Sequence, residues 1–314
     1  MTRTAVLALG GNALARSGER ATIANQFRHA RESVAPIVEL ARDGWRIAIV
    51  HGNGPQVGDE LVRNERSKAE VEPLPLGVLV AGTAGWIGYM LQQSLENGLT
   101  EAGVDRTVGT LITQTEVDPA DPGLQQATKP IGHEMPQSRA DALRDAGIAV
   151  GKDGAGHWRR LAASPRPIGV VEAPLVRALL DAGVIVIAAG GGGPPVYRDS
   201  LLGLEGLDAV VDKDLVAALL AQQLGAEVLM ILTDVDAVYR DWGTPNQAPL
   251  HRLTLAEADE ILRSGRVPAG SMRPKLEAAT EFVRAGSGRA VIARLADGPA
   301  ALRGETGTTI VRET

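Results

Sequence analysis

The chain has 314 residues, 44% of them hydrophobic and 22% charged, with a net charge of −6 and no cysteine. That profile builds a packed core and rules out a disordered chain, and it offers no basic field to nucleic acid or to an anionic membrane surface. The missing cysteines exclude disulfides, thiolate metal sites, iron–sulfur clusters and a cysteine nucleophile. No uncharged apolar run reaches the ~18 residues of a membrane span. Met1-Thr2-Arg3 leads straight into a strand-like run, so neither a span nor a secretory leader is expected and a cytoplasmic location is. Glycine is abundant, at 37 residues, while aromatics are scarce, at four Trp, three Tyr and two Phe. The core must therefore be built from Ala, Val, Leu and Ile.

In chain order, short apolar runs at 4–9, 46–51, 107–113, 184–189, 227–232 and 290–293 read as strands. Amphipathic stretches at 25–42, 55–69, 86–102, 212–224, 256–263 and 275–285 read as helices between them. Strand runs alternating with longer helical ones predict βαβ units and a buried, largely parallel sheet. Gly44, Gly103, Gly183 and Gly225 each fall between a helical run and the next strand, where a left-handed cap belongs. One stretch breaks the rhythm. Residues 118–167 are proline-rich, mixed in charge and weakly periodic, too long for a structureless loop in a compact domain. They are expected to form a small protruding subdomain or lid, loosely packed on the main sheet.

Ligands of open parallel sheets bind beyond the carboxyl ends of the strands. There the sequence places Gly10-Gly11-Asn12 after the first run, Gly52-Asn53-Gly54 after the second and Gly190-Gly191-Gly192-Gly193 after the fourth. Three such turns at one edge offer backbone N–H groups to an anion. A GxxxxGK[ST] phosphate loop is absent, and the spacing Gly52-x-Gly54-x-x-x-Gly58 is not the dinucleotide GxGxxG. No GxSxG elbow occurs, and the five histidines show no i,i+4 pairing, so histidine metal binding is not expected. Two lysines stand out. Lys213, between Asp212 and Asp214, and Lys275, after Gly270-Ser271-Met272-Arg273-Pro274, both fall at helix starts, where the dipole disfavours cations. Cations facing a glycine-lined edge suit phosphoryl transfer, in which a protein mainly positions groups and neutralises charge.

At these residues the chain resembles the carbamate kinases of the amino acid kinase superfamily. The matching motifs are LGGNAL (9–14), HGNGPQVG (51–58), TKPIG (128–132), AAGGGG (188–193), VDKDL (211–215), LTDVDAVY (232–239) and GSMRPKLEAA (270–279), in family order along nearly the whole chain. The resemblance implies a three-layer αβα sandwich around a mostly parallel sheet, with a small protruding subdomain. It implies reversible phosphoryl transfer between ATP plus carbamate and ADP plus carbamoyl phosphate, with Mg2+ carried by the nucleotide. Residues 1–206, including the subdomain 118–167, would form the carbamate-binding lobe, and 207–314 the nucleotide-binding lobe. Gly10, Gly11, Asn12, Gly52, Asn53 and Gly54 would contact carbamoyl phosphate. Lys213 and Lys275 would stabilise the moving phosphoryl, Asp214 would orient the lysines, and Lys129 would reach in from the subdomain. Apart from the resemblance, Glu134 is expected to lie close to Lys129 and to compete for it in the open form. Thr233, Asp234, Tyr239, Gly270, Ser271 and Met272 would surround the nucleotide. A homodimer and a role in ATP formation during arginine or related nitrogen catabolism are also implied.

The chain departs from the family pattern in three places. His133-Glu134-Met135 replace a Pro and two aromatics, with Ala127 in place of a preceding Pro; Thr83-Ala84-Gly85 replace Ser-Gln-Gly; and Ala155 replaces a glycine-flanked Arg, with His157 inserted. Two other readings stay open on this ground: a relative acting on another small carboxylate, and a non-catalytic sensor of nucleotide or carbamoyl phosphate. Retention of Lys129, Lys213, Asp214 and Lys275 speaks against the sensor, since binding alone needs fewer charges.

Overall fold

The computed structural model describes residues 3–11, 14, 19, 21–264, 272–286 and 288–313. In chain order its first elements are β1 (Thr4–Leu9), α1 (Ile23–Arg42), β2 (Arg46–His51), α2 (Gly54–Ser67), α3 (Leu76–Glu101), β3 (Val108–Thr110) and β4 (Thr115–Val117). The middle of the chain forms β5 (Ala127–Met135), α4 (Gln137–Asp145), β6 (Val150–Lys152), β7 (Trp158–Ala163), β8 (Pro167–Val170), α5 (Ala173–Asp181), β9 (Ile185–Ile187), β10 (Pro195–Asp199) and β11 (Gly203–Gly206). Then follow α6 (Lys213–Leu224), β12 (Val228–Thr233), β13 (Val238–Arg240), β14 (Ala248–Leu250), β15 (Arg252–Thr254), α7 (Leu255–Ser264), α8 (Met272–Arg284), β16 (Arg289–Arg294), α9 (Gly298–Leu302) and β17 (Thr308–Val311).

The main sheet among the described residues has eight strands in the order β15-β17-β16-β12-β1-β2-β9-β3. Every neighbouring pair is parallel except β16–β17. Strand alternation divides its side chains between two cores. Val6, Ala8, Ala48, Val50, Leu229 and Ile231 face α5, α6 and α8, whereas Ala5, Leu7, Leu9, Ile47, Ile49 and Met230 face α1, α3 and α9. That is the αβα sandwich expected. Ala217, Ala218 and Ala221 are buried on α6, and such small side chains let a helix lie close to the sheet. Gly44, Gly103, Gly183 and Gly225 all have positive φ, from 62° to 87°, as their place after a helix requires.

The boundaries differ from the sequence reading where distant partners decide them. α3 begins at Leu76, ten residues before the expected start at 86, because Asp208 Oδ1 accepts the Leu76 N–H at 2.8 Å. That bond satisfies a first-turn amide from 132 residues away, where no local cap could advertise it. β3 is shorter than the run 107–113, and the chain then turns into β4, part of a four-stranded sheet ordered β11-β10-β4-β8 that local periodicity does not reveal. Residues 118–167 contain a sheet of their own, separate from the main one, and end where β8 of the four-stranded sheet begins. β5, β7 and β6 make a three-stranded antiparallel sheet, with α4 packed beside it. The expected lobe boundary at 206/207 falls between β11 and α6, and the main sheet runs across it unbroken through the β1–β12 pairing.

The subdomain is not loose at its base. Ile131 and Ala162 pack with Val57, Leu76, Val80 and Val210 in a third apolar cluster. Gly58 on α2 meets Gly132 on β5 backbone to backbone: a Cβ on Gly58 would lie 2.0 Å from Gly132 Cα. The last glycines of HGNGPQVG and TKPIG are thus required by each other.

Candidate active site

A cavity of about 270 Å3 opens at the carboxyl edge of β1 and β2, lined in part by Gly11, Asn53, Lys129, Lys213, Asp214 and Lys275. Lys213 and Asp214 arrive on the first turn of α6 and Lys275 on the first turn of α8, while Lys129 comes from β5 of the subdomain. Asp212 caps α6, accepting from Asp214 N at 2.8 Å and Leu215 N at 3.4 Å. The cap leaves Lys213 and Asp214 to point into the cavity.

Asp214 takes Lys213 Nζ at 2.5 Å on Oδ1 and Lys275 Nζ at 3.3 Å on Oδ2. Burial alone would raise its carboxyl pKa, but the two ammonium groups, with Lys129 beyond, outweigh burial and hold it well below the usual carboxylate range. The sense of that outcome follows from magnitude. A unit pair at 4 Å is worth ~1 kcal/mol in water but ~4 kcal/mol at the effective dielectric of a protein site. Lys213 responds the other way: burial, reinforced by the like charge of Lys275, lowers its pKa despite Asp214. Lys129 hydrogen-bonds Asp212, and this carboxylate more than offsets burial, so the Lys129 pKa is raised. Three lysines thus face two carboxylates across the cavity, an excess of cationic side chains that suits an anionic ligand.

The backbone supplies the rest. Asn53 is the N-cap residue of α2, yet its side chain makes no capping bond and instead reaches Thr83. The first turn of α2 thus keeps its N–H groups uncapped at the cavity, with Gly54 lining it, an arrangement that favours anions. The Lys213 stem crosses Gly52: a Cβ there would sit 3.3 Å from Cδ and Cε of Lys213 and 3.3 Å from Gly11 N. Glycine at 52 therefore makes room for the lysine. The Gly10 amide donates to Leu232 O and the Gly52 amide to Leu9 O, at 2.9 and 3.1 Å. These two amides are spent within the sheet region, although Gly52 itself lines the cavity. The third turn is a packing device as well. A Cβ at Gly190 would meet His51 Nε2 at 2.6 Å, at Gly192 Val211 O at 2.5 Å, and at Gly193 Thr113 O at 2.6 Å. Of this turn, Gly191 lines the cavity.

His51 has no role that the sequence pattern marks. It is buried, donates Nδ1–H to Gly52 O at 3.1 Å, and burial pushes its pKa down to about 4, so it is a neutral brace under the turn at 52–54. Thr83 likewise stands in the sequence only as a departure from a motif. Its signal is not local, since its partner Asn53 lies 30 residues away.

Among the described residues, those expected around the nucleotide do not line this cavity. Thr233 ends β12 beside Gly10, whose added Cβ would be 3.8 Å from Thr233 Cα, and Thr233 Oγ1 donates to Asp234 Oδ1 at 3.0 Å. Tyr239 donates its hydroxyl to Asp236 at 3.1 Å and meets the Trp242 ring edge-on at 5.1 Å. Met272 begins α8, one turn before Lys275. Asn12, Gly270 and Ser271 lie outside the described residues. Glu134, expected near Lys129, pairs instead with His157 at 3.1 Å.

The two carboxylates that line the cavity, Asp212 and Asp214, have partners on all four oxygens. Both Asp214 oxygens are on lysine ammonium groups and both Asp212 oxygens are on Lys129 and the α6 amides. Among the described residues no group of three or more His, Asp or Glu side chains is arranged around a common metal position.

Comparison with known proteins gives a consistent picture. The model of the amino acid kinase family matches residues 3–294. Carbamate kinase of Pyrococcus horikoshii is 40% identical over 313 residues, covering 99% of each chain. The carbamate kinase-like protein YqeA of Escherichia coli K12 is 40% identical over 314 residues, again covering 99% of each. Carbamate kinase from Giardia lamblia bound to AMP-PNP superposes with a TM-score of 0.90 at 35% identity, covering 99% of this chain and 98% of that one.

Proposed function

Because the chain belongs to the amino acid kinase family, among its carbamate kinases, we propose that it transfers a phosphoryl group reversibly between ATP and carbamate, giving ADP and carbamoyl phosphate. The observation that carries this reading is the convergence of Lys129, Lys213 and Lys275 from three elements on one cavity beside the uncapped start of α2. A carbamate oxygen attacks the γ-phosphorus, and the bond from that phosphorus to the ADP oxygen breaks. Carbamate is already an anion, so no proton has to move. This suits a site of lysines and carboxylates locked against one another, with its one buried histidine neutral. Charge on the moving phosphoryl is met by Lys213 and Lys275, which Asp214 holds in place, and by Lys129 from above.

The N-terminal lobe, 1–206, would hold carbamate through Gly11, Asn53 and Gly54, while Gly10 and Gly52 shape the turn beneath. The C-terminal lobe, 207–314, would hold the nucleotide at Thr233, Asp234, Tyr239 and Met272, with Asn12, Gly270 and Ser271 completing the two sets. A nucleotide is supported by the Giardia relative bound to AMP-PNP. Mg2+ would arrive on the nucleotide phosphates, since the nearby carboxylates are occupied by lysines and amides. A cytoplasmic enzyme forming ATP in arginine-linked nitrogen catabolism fits this chemistry. The exposed Val78 and Tyr89 on α3, with Ile112 beside Gly85, form an apolar face for a homodimer, which light scattering at micromolar concentration checks directly.

The deciding assay is ATP formation from ADP and carbamoyl phosphate with magnesium. Robust turnover is expected. ATP formed only with a different acyl phosphate would point to another carboxylate substrate, and tight binding without turnover would point to a sensor.

A further inference from the structure

Thr83 lies on α3 and is 1% exposed. Its Oγ1 stands 2.8 Å from Leu79 O and 2.9 Å from Val80 O. Carbonyl oxygens only accept, so the hydroxyl hydrogen is committed to the helix backbone. What Thr83 offers outward is a lone pair, and Asn53 Nδ2 donates to it at 2.9 Å. The direction of this relay settles which end of the Asn53 amide is which. A flipped amide would set Oδ1 against Oγ1 with no hydrogen between them. Gly191 fixes the plane from the other side: a Cβ there would fall 2.0 Å from Nδ2 and 2.3 Å from Oδ1, so the amide lies flat on bare Cα. The same bond draws Asn53 away from the capping role its position at the start of α2 would give it.

We propose that Thr83 is a positioning residue that holds the Asn53 amide with its carbonyl oxygen toward the cavity, where it accepts a hydrogen bond from the amino group of the carbamoyl substrate. The inference rests on the phosphoryl-transfer reading above and adds to it the basis of selectivity. Carbamoyl phosphate and acetyl phosphate have nearly the same shape, with NH2 in one where the other has CH3. A site that only cradles phosphate and carbonyl oxygens treats them alike. A buried acceptor fixed beside that group is left unpaired by the methyl, and sites built on such bonds discriminate far more strongly than those that sort by size. Were the amide free to turn, it could present N–H or C=O and the distinction would fade.

The test compares wild type, Thr83→Val and Thr83→Ser in ATP formation from ADP and magnesium, with either carbamoyl phosphate or acetyl phosphate, the latter as donor or as competitive inhibitor. Valine keeps the shape of threonine and removes the lone pair, while serine keeps the hydroxyl. Thr83→Val is expected to lose about 10-fold or more in kcat/KM for carbamoyl phosphate, with acetyl phosphate changed less than about 2-fold in kcat/KM or in inhibition constant. Thr83→Ser is expected to keep the wild-type preference. Circular dichroism and a thermal melt monitor folding of both variants. An equal fall for both phosphates, or an unchanged preference in folded Thr83→Val, would overturn the positioning role while leaving the kinase reading intact. Loss of the preference in Thr83→Ser would overturn it as well. A wild-type protein that makes ATP from neither donor would overturn the kinase reading itself, and this inference with it.

Discussion

Lys213 and Lys275 reach the cavity from the main body, and Lys129 reaches it from the subdomain. The first two rise from helices whose inner faces are core: Val216, Ala217 and Leu220 on α6, and Leu276, Ala279 and Phe282 on α8, are essentially fully buried. Their ammonium groups share one buried carboxylate, and their side chains are only 14% and 11% exposed. Lys129 is 34% exposed and stands on β5, whose pairing with β7 shifts register twice. Beyond the apolar cluster at its base, the subdomain is held to α2 by polar contacts: Glu65 with Arg139 and Arg160, and Asp59 with His133. The site thus combines two cations set in place by the core with a third that depends on how a small appended unit is docked. On the proposed reading, the fixed pair would bind phosphate before reaction and the docked cation would be added on closure, when water is also shut out.

The sharpest way to break this comparison is to remove the fixed cations. Lys213→Ala and Lys275→Ala should each lower turnover about 10²–10³-fold, the scale for losing one donor that stabilises charge in the transition state. Each also leaves Asp214 buried with one partner fewer. Breaking a buried pair costs up to about 3–5 kcal/mol, and the lysine that remains should keep the loss below that range. Thermal melts run beside the kinetics separate the two effects. If both variants stayed folded and turned over at wild-type rates, neither lysine would be meeting the phosphoryl group.

Lys129→Ala should act differently. Asp212 keeps its bonds from Asp214 N and Leu215 N after the change, so stability should fall by no more than about 1 kcal/mol, the upper end for an ion pair that solvent still reaches. Turnover should fall by about 10²-fold, within the range for a single stabilising donor. Hydrogen exchange in residues 118–167 should slow when nucleotide and a carbamoyl phosphate analogue bind together, with the larger change at the tip, since the base already packs on α2. A fully active Lys129→Ala with unchanged exchange under saturating ligands would make the subdomain a passive appendage.

These contrasts were only partly legible in the sequence. β1 and β2 match the predicted runs residue for residue because a strand buried on both faces shows as a short, nearly continuous apolar run. Lys213 and Lys275 stood out because a cation at a helix start needs a reason, and Asp214 supplies it. Lys129 carried no such local sign and was assigned through the TKPIG resemblance alone. The glycine turns look alike in the sequence, yet contacts divide them: Gly52 clears the Lys213 stem, Gly58 and Gly132 let two backbones touch, and Gly190, Gly192 and Gly193 make room for buried neighbours. Asp208 at Leu76 and Thr83 at Asn53 were missed for a common reason. Each acts on a partner 132 or 30 positions away, and no local pattern records a bond made only after the sheet has assembled.

The smallest expected effect concerns how the subdomain docks. His133 on β5 faces Asp59 on α2, with Nε2 3.4 Å from Oδ1, and the two side chains are 47% and 41% exposed. The Asp59 hydrogen bond, stronger than the opposing burial and the charge of Arg159 on β7, raises the His133 pKa above 6.5, and Glu134 on the same strand adds to the rise. A group whose folded pKa is raised stabilises the folded arrangement fully below its unfolded value and loses that contribution as pH climbs through the folded one. Here the contribution is present below pH 6.5 and fades above it. An exposed pair of this kind is worth about 0–1 kcal/mol, so docking should shift by no more than about 5-fold. The observable is hydrogen-exchange protection of β5 and β7 relative to β1, measured across this interval in wild type and His133→Gln and corrected for intrinsic exchange. The ratio of wild type to variant should approach one as pH rises. His157→Gln is the control, because His157 pairs with Glu134 inside the subdomain and does not reach α2. A ratio that stayed constant with pH, or a His157→Gln effect as large as that of His133→Gln, would show that the Asp59 contact does not help hold the subdomain down.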